Sequence, residues 1–598
     1  MRSWVERHTP KLLICLREGY GARTFTGDLL AGLAVAFIAV PLAMALGIAS
    51  IPINVAQELQ SIHPWLTPPA MGLFTAVVAG FLISALGGSR VQIGGPTAAF
   101  IPIVFAIAAS HGYEGLAMAT IMAGVIVILM GVFGLGRYIK FIPYPVTTGF
   151  TAGIAVTILA SQVKDFLGLS VLNDDGGPAP IPAEFVGKLE VLSAHWRTIN
   201  WHATGIGVGS LAVLVLLRRF VPRVPGAIVA VVLSGLVVWI MGWSSATEVI
   251  EGGHTRPIVE TIGTRFGGIP HTLPAPRVPE VSFSMIRDLI PSATTIAILC
   301  AIESLLSAVV TDGMTGYRHR SDQELVALGV ANLASASFFG LPAIGALARS
   351  AANIKNGGKT PVAGMLHAVF ILAFMLALAP LAKMVPLATL SAILFVVAWD
   401  MSEVDHFRAL LRAPRPDVLV LLTTFGLTVF TDLTIGVGVG MVLASFLFMK
   451  RMSEIGGVAG FNGSGGSDAE TEAFDPKDPG TVAEKRIPEG VEVYEINGPF
   501  FFGVADKLKD TLAQVKRPPR VFILRMRYVP HIDATGLHAL DEFREKCRRQ
   551  GTVLVLGGVH AHPLSAMVKA GMDRTIGLEN IHDNLDDALK RAGEIVNS

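Results

Sequence analysis

The chain has 598 residues, 52% hydrophobic and 16% charged, with 47 Lys and Arg against 46 Asp and Glu for a formal net charge of +1. Soluble domains carry roughly 25% charged residues, so this deficit excludes a wholly soluble class and points to a polytopic membrane protein. The near-neutral balance argues against a nucleic-acid partner recruited by bulk charge. Cys15, Cys300 and Cys547 have neither metal-ligand spacing nor an obvious pairing, so no metal site is expected.

Residues 1–26 carry Arg2, Arg7, Lys11, Arg17 and Arg23 ahead of the first apolar run; they read as a cytoplasmic N-terminal segment without a cleavable signal. At about 20 residues per span, apolar segments follow near 28–50, 69–86, 97–109, 115–135, 144–167, 202–217, 224–243, 289–311, 325–339, 346–356, 362–382, 386–400, 417–431 and 433–449. These are fourteen, in two sets of seven at about 27–243 and 288–450. An odd number per set gives the two sets opposite orientations, the inverted-repeat arrangement of secondary transporters. With the N-terminus inside, Arg137, Arg218, Arg219, Arg318, Arg320, Lys355, Arg412 and Lys450 all fall on the cytoplasmic side, as the positive-inside rule requires.

Two of the segments are half-length and open on helix breakers. Gln92-Ile93-Gly94-Gly95-Pro96-Thr97 precedes one, and Leu341-Pro342-Ala343-Ile344-Gly345-Ala346 the other. Unpaired backbone is tolerated inside a bilayer only where protein or a cavity satisfies it, so such breaks in corresponding positions of two halves mark a transporter's substrate site. Half-helices starting near Thr97 and Ala346 would aim two positive dipole ends at one cavity, an anion site built largely from backbone.

Composition changes after Arg451. Residues 453–483, with the run Asn462-Gly463-Ser464-Gly465-Gly466-Ser467, read as a flexible linker. In 484–598, strands are expected at 491–496, 520–525 and 552–556, with amphipathic helices around 505–515, 535–549, 563–570 and 583–592. This is a small α/β domain.

Gly94-Gly95-Pro96-Thr97-Ala98-Ala99, Ala301-Ile302-Glu303-Ser304, Asp312-Gly313-Met314-Thr315-Gly316, Ala348-Arg349-Ser350-Ala351-Ala352-Asn353 and Thr431-Asp432-Leu433-Thr434-Ile435-Gly436 resemble the sulfate permease (SulP, solute carrier 26) family of anion transporters. Ile532-Asp533-Ala534-Thr535-Gly536 is similar to the loop opening the main helix of the STAS domain, that family's cytoplasmic module. The resemblance implies a transporter domain at 27–452 with a 7+7 inverted repeat, a core moving against a gate, a STAS domain at 484–598 and a homodimer. The spellings around Glu303 and Arg349 look closest to a bacterial branch that includes proton-coupled C4-dicarboxylate carriers. Many members place a Gln and an aromatic residue after the first-span proline; here Leu42 and Leu46 follow Pro41.

Charges within a bilayer cost about 2.5–3.5 kcal/mol each on insertion scales, and two stand out here, Glu303 and Arg349. Withdrawal from water favours the neutral form of a carboxyl, so Glu303 reads as a proton-coupling group; the alternative is a buried Glu303–Arg349 ion pair that only holds the core together. Arg349 adds a full charge to a helix start and offers a planar fork for oxyanions, or else snorkels to cytoplasmic water. Thr97, Ala98, Ala346, Leu347, Ala348, Arg349 and Ser350 are the expected substrate contacts, with Met44 and Ala45 as cavity wall, where ordinary packing is an equal reading. Thr535 matches a residue phosphorylated in soluble STAS relatives; an Asp533 or Thr535 helix cap explains it better.

The leading expectation is a secondary active transporter of small oxyanions such as sulfate or C4-dicarboxylates, coupled to protons, in the inner or plasma membrane with both termini cytoplasmic. Alternatives are a sodium-coupled bicarbonate transporter, an uncoupled exchanger or channel, and an anion-responsive regulator acting through STAS on a cytoplasmic protein partner. No enzyme constellation and no cofactor motif is found.

Overall fold

The computed structural model describes residues 8–172, 179, 181–221, 224–249, 255–279, 283–431, 433–455, 457–461, 486–501, 504 and 518–598. The chain divides into two compact units, Met1–Val442 and Leu443–Ser598.

In the first unit a short helix α1 (Lys11–Gly19) leads into α2 (Ala22–Ser50), α3 (Ile53–Ile62) and α4 (Pro68–Leu86). A two-residue strand β1 (Gly94–Gly95) precedes a 3-10 turn (Ala98–Phe100) and α5 (Ile101–Val132). Then come α6 (Tyr144–Leu167), α7 (Phe185–Ala194), α8 (Trp201–Phe220) and α9 (Gly226–Ile240). A hairpin of β2 (Thr247–Val249) and β3 (Thr255–Pro257) and a short α10 (Ile262–Phe266) separate these from α11 (Phe283–Thr315) and α12 (Ser321–Ser337). The second two-residue strand, β4 (Ile344–Gly345), opens α13 (Leu347–Lys355), followed by α14 (Pro361–Ala382), α15 (Leu387–Met401), α16 (Val404–Leu410) and α17 (Arg415–Phe430). Helix α18 (Leu433–Ile455) runs across the boundary between the units.

Among the described residues, nine helices are long and apolar enough to cross a bilayer. One of them, the 98–132 stretch, is two helices joined at Gly112, whose φ of 64° and ψ of −171° only glycine adopts comfortably. Shorter helices, α9, α12, α13 and α17, occupy the other positions where the sequence expects segments.

Small residues let these helices touch backbone to backbone. A Cβ on Gly72 of α4 would lie 1.9 Å from the Ala43 carbonyl oxygen of α2, and one on Gly329 of α12 would lie 2.4 Å from that of Gly124 in α5. The sequence singles out only Glu303 and Arg349 as intramembrane charges, but the fold also buries Asp28, Glu324 and His367 completely. Each acid caps backbone that a helix start or a tight turn leaves unsatisfied. Asp28 Oδ1 accepts from the Lys359 and Thr360 amides at 2.8 and 3.2 Å, at the head of α14, while Glu324 Oε2 accepts from the Gly88 and Ser89 amides at 2.6 and 2.9 Å.

The second unit holds a four-stranded sheet in the order β5 (Gly457–Phe461), β6 (Val491–Asn497), β7 (Val521–Tyr528), β8 (Val553–Gly557). Strands β6, β7 and β8 are parallel and β5 pairs antiparallel at the edge. This corrects the linker expectation: Gly457–Phe461 lies inside 453–483 yet is a strand. A glycine-rich run that looks like linker by composition gains its order from the hydrogen bonds of a neighbouring strand. Helices α19 (Ala534–Arg549), α20 (Ala561–Lys569), α21 (Met572–Ile576) and α22 (Leu585–Asn597) accompany the sheet. Tyr494, Phe522 and Phe543 pack in one core, and Val493, Ile523, Val555 and Ala588 in another. The cap of α19 is Asp533, which accepts from the Gly536 amide at 2.8 Å, and Thr535 is exposed. The helix expected at 505–515 lies outside the described residues.

The crossing of two interrupted helices

Gly94 pairs with Gly345 and Gly95 with Ile344 in antiparallel register. One strand feeds the 3-10 turn and α5, the other feeds α13. Antiparallel strands make the helices that follow them leave in opposite directions, so both N-termini converge on one place. At the first, Thr97 caps the turn, its hydroxyl accepting from the Ala99 amide at 3.4 Å; at the second, Ala346 supplies no side-chain cap. The leading N–H groups of α13 therefore lack a partner from their own helix or cap, and Leu347 and Ala348 there are exposed.

Glycine is required at the crossing. Gly95 has φ 145°, and a Cβ on it would lie 2.5 Å from Arg349 Nη1.

Polar side chains from α4, α11, α12 and α13 fix the two extended arms. Ser304 of α11 accepts from the Gly345 amide through its hydroxyl at 3.1 Å, and its carbonyl accepts from Gln92 Nε2 at 3.1 Å. Asn332 of α12 accepts from the Ala343 amide at 2.8 Å and donates to the Ala343 carbonyl at 3.0 Å. Thr75 of α4 accepts from the Leu341 amide at 2.6 Å, and Asn353 of α13 donates to the Val91 carbonyl at 2.9 Å. None of Gln92, Thr75, Asn332 and Asn353 was singled out from sequence. Their signal, a polar side chain within an apolar segment, is weaker than a charge.

Arg349 is 3% exposed, which removes the snorkelling alternative. Its guanidinium donates to the Pro96 carbonyl and, at 3.5 Å, to that of Gly94, while Nε has no partner. A positive charge thus sits within the first turn of α13 and against the arm leading to Thr97. Glu303 is half-buried on α11 beside Ser304, with no hydrogen bond or ion pair among the described residues. The Glu303–Arg349 pair is absent: Arg349 is held by the Gly94 and Pro96 carbonyls and keeps its full positive charge.

Two other expectations shift. The buried Ser350 hydroxyl accepts from the Ile93 amide at 2.9 Å and donates to the Ala346 carbonyl at 2.8 Å, so it joins the two arms and has no free donor for a ligand. Met44, with Pro41, lines an apolar cavity of about 300 Å³ against Val231, Leu236 and Phe374, and Ala45 is buried. Ala98 is buried and Thr97 half-buried.

The fold and its crossing define a multi-pass membrane protein of the anion-transporter kind, joined to a small α/β domain. Residues 25–424 match the sulfate permease family and residues 483–588 the STAS domain. The chain is 38% identical over 571 residues to YvdB of Bacillus subtilis, covering 95% of this chain and 98% of that one; the name of YvdB assigns it provisionally to sulfate transport. The chain belongs to the sulfate permease family. It is also 28% identical over 588 residues to the bicarbonate transporter BicA of Picosynechococcus sp., covering 95% of each. Its fold is similar to that of murine Solute Carrier 26 family member A9 in the inward-facing state, with a TM-score of 0.81 at 19% identity over 99% of this chain and 95% of that one.

Proposed function

We propose that the protein is a secondary active transporter of small oxyanions, of the sulfate or C4-dicarboxylate type, coupled to protons through Glu303 and working by alternating access. The observation that carries the reading is the antiparallel β1–β4 pair, which turns two helix N-termini toward one point beside the buried charge of Arg349. In this reading the anion lies against the Thr97 and Ala98 turn and the uncapped start of α13 at Leu347 and Ala348. Arg349 supplies potential, and the unpartnered Glu303 takes up the proton that offsets the anion's charge. The transmembrane part forms fourteen spans as two inverted sevens, both termini are cytoplasmic in the plasma or inner membrane, and the chain works as a homodimer whose STAS domain docks a cytoplasmic protein.

A second reading has one specific support. The likeness to the bicarbonate transporter BicA along nearly the whole chain favours bicarbonate as cargo; sodium in place of the proton is the reading that goes with an acidic side chain at Glu303.

Proteoliposomes of the purified protein decide between them through uptake of labelled sulfate, succinate and bicarbonate, each with an inward proton gradient, an inward sodium gradient or neither. We expect several-fold stimulation of one oxyanion by the proton gradient. Stimulation by sodium alone supports the second reading, and equal uptake in all three conditions sinks both.

A further inference from the structure

We infer that the outer mouth of the transport path holds a second anion station, in which the ammonium groups of Lys164 and Lys188 hold a small oxyanion before it reaches the crossing. The word outer rests on the topology proposed above; the station itself rests on the following geometry.

Three adjoining cavities of about 90, 310 and 170 Å³ lie around the C-terminal ends of α2 and α6. The first and second share Lys164, Asp165 and Arg265; the first and third share Phe105, Ser161 and Lys188. Four cationic residues line this basin, Lys164, Lys188, Arg256 and Arg265, against the acids Asp165, Glu184 and Glu260.

The acids are unevenly used. Arg265 takes Asp165 at 2.7 Å and Glu260 at 3.5 Å, and Arg256 donates to the Gly168 carbonyl at 2.8 Å and to the Ser170 hydroxyl. That leaves Lys164 and Lys188 with no hydrogen bond or carboxylate within ion-pair distance among the described residues. Lys188 Nζ instead lies 5.5 Å from the Phe105 ring centroid, a cation–π contact that fixes the ammonium without neutralising it. Burial lowers the Lys188 pKa to about 8, with the Glu184 carboxylate opposing it only in part.

Two half-buried ammonium groups lining one cavity create a local excess of positive potential. Low-dielectric walls focus such a field and raise the concentration of a mobile anion. Ammonium groups are point charges with several donors, so they suit planar and tetrahedral oxyanions alike. Such a station would collect the cargo of the crossing without selecting it finely.

The test is acetylation of the full chain in liposomes with a membrane-impermeant amine acylating reagent supplied to both faces at pH 8, where a substantial share of Lys188 is the reactive neutral amine. Acetylation of Lys164, Lys188 and the exposed Lys569 is quantified by mass spectrometry in sulfate, bicarbonate or succinate against a gluconate buffer of equal ionic strength. We expect at least one of the three anions to slow acetylation of both basin lysines threefold or more, leaving Lys569 unchanged, and to do so equally in Arg349→Ala. Protection that vanishes in Arg349→Ala overturns the proposal, because the lysines then only report on the crossing. No protection by any anion, or no acetylation of Lys188 in gluconate, overturns it as well. Protection seen only with reagent and anion trapped on the face of the N-terminus leaves the station standing and refutes the topology on which the word outer depends.

Discussion

Glu303→Gln is expected to abolish proton-driven accumulation while leaving anion exchange across the membrane within about threefold of the wild type. Gln has the size and shape of the protonated acid and cannot ionise, so it holds the side chain in the uncharged state assigned to the loaded carrier. The substitution costs little in packing, since Glu303 is half-buried and makes no hydrogen bond or ion pair among the described residues. Its neighbour Ser304 holds the Gly345 amide and, through its carbonyl, Gln92, so the position stays fixed whatever occupies 303. The measurement is uptake with and without an inward proton gradient, alongside counterflow exchange at equal pH. Gradient-stimulated uptake that survives in Glu303→Gln would remove Glu303 from coupling. Loss of exchange together with accumulation would make it part of the binding site.

Arg349→Ala should damage both stability and anion binding. The guanidinium braces the Gly94 and Pro96 carbonyls across the crossing. Hydrogen bonds from a charged donor contribute roughly 1.5–3 kcal/mol each, and their loss leaves buried carbonyls unpaired. Removing the charge also takes away the local potential at α13, so affinity for the anion is expected to fall about 10- to 100-fold, on the order of 1.4–2.8 kcal/mol. Arg349→Lys separates the two roles: an ammonium keeps the charge but cannot span two carbonyls as a planar fork does. Thermal unfolding and anion binding of purified protein should therefore rank wild type, Arg349→Lys, Arg349→Ala in falling order on both scales. Wild-type affinity in Arg349→Ala would confine the residue to bracing.

The interruptions were legible because glycine and proline are conspicuous where every other residue is apolar. Gly94, Gly95, Pro96, Pro342 and Gly345 announce broken helices without any knowledge of their partners. The bonds that make the breaks tolerable were not legible, since their ends lie far apart in the chain. Gln92 reaches Ser304 across 212 residues, and the Leu341 amide reaches Thr75 across 266. A lone Ser, Thr or Asn in an apolar helix looks the same whether it bonds to its own helix or clamps another. Ser350 shows the same ambiguity: a hydroxyl near a helix start reads as a ligand from sequence, while in the fold it ties Ile93 to Ala346. Asp28 escaped notice because it sits at the edge of an apolar run, where charges are ordinary. Strand β5 was hidden by composition, its order being supplied by pairing with β6.

The central claim is that an anion sits between the two converging N-termini. Its most direct test is an experimental structure of the full chain in lipid nanodiscs with the best-transported oxyanion at saturating concentration. The account predicts density within hydrogen-bonding distance of the amides at the Thr97 turn and at the start of α13, with Arg349 still held to Gly94 and Pro96. Density bound elsewhere while that point stays empty, in protein that transports the same anion, would contradict it.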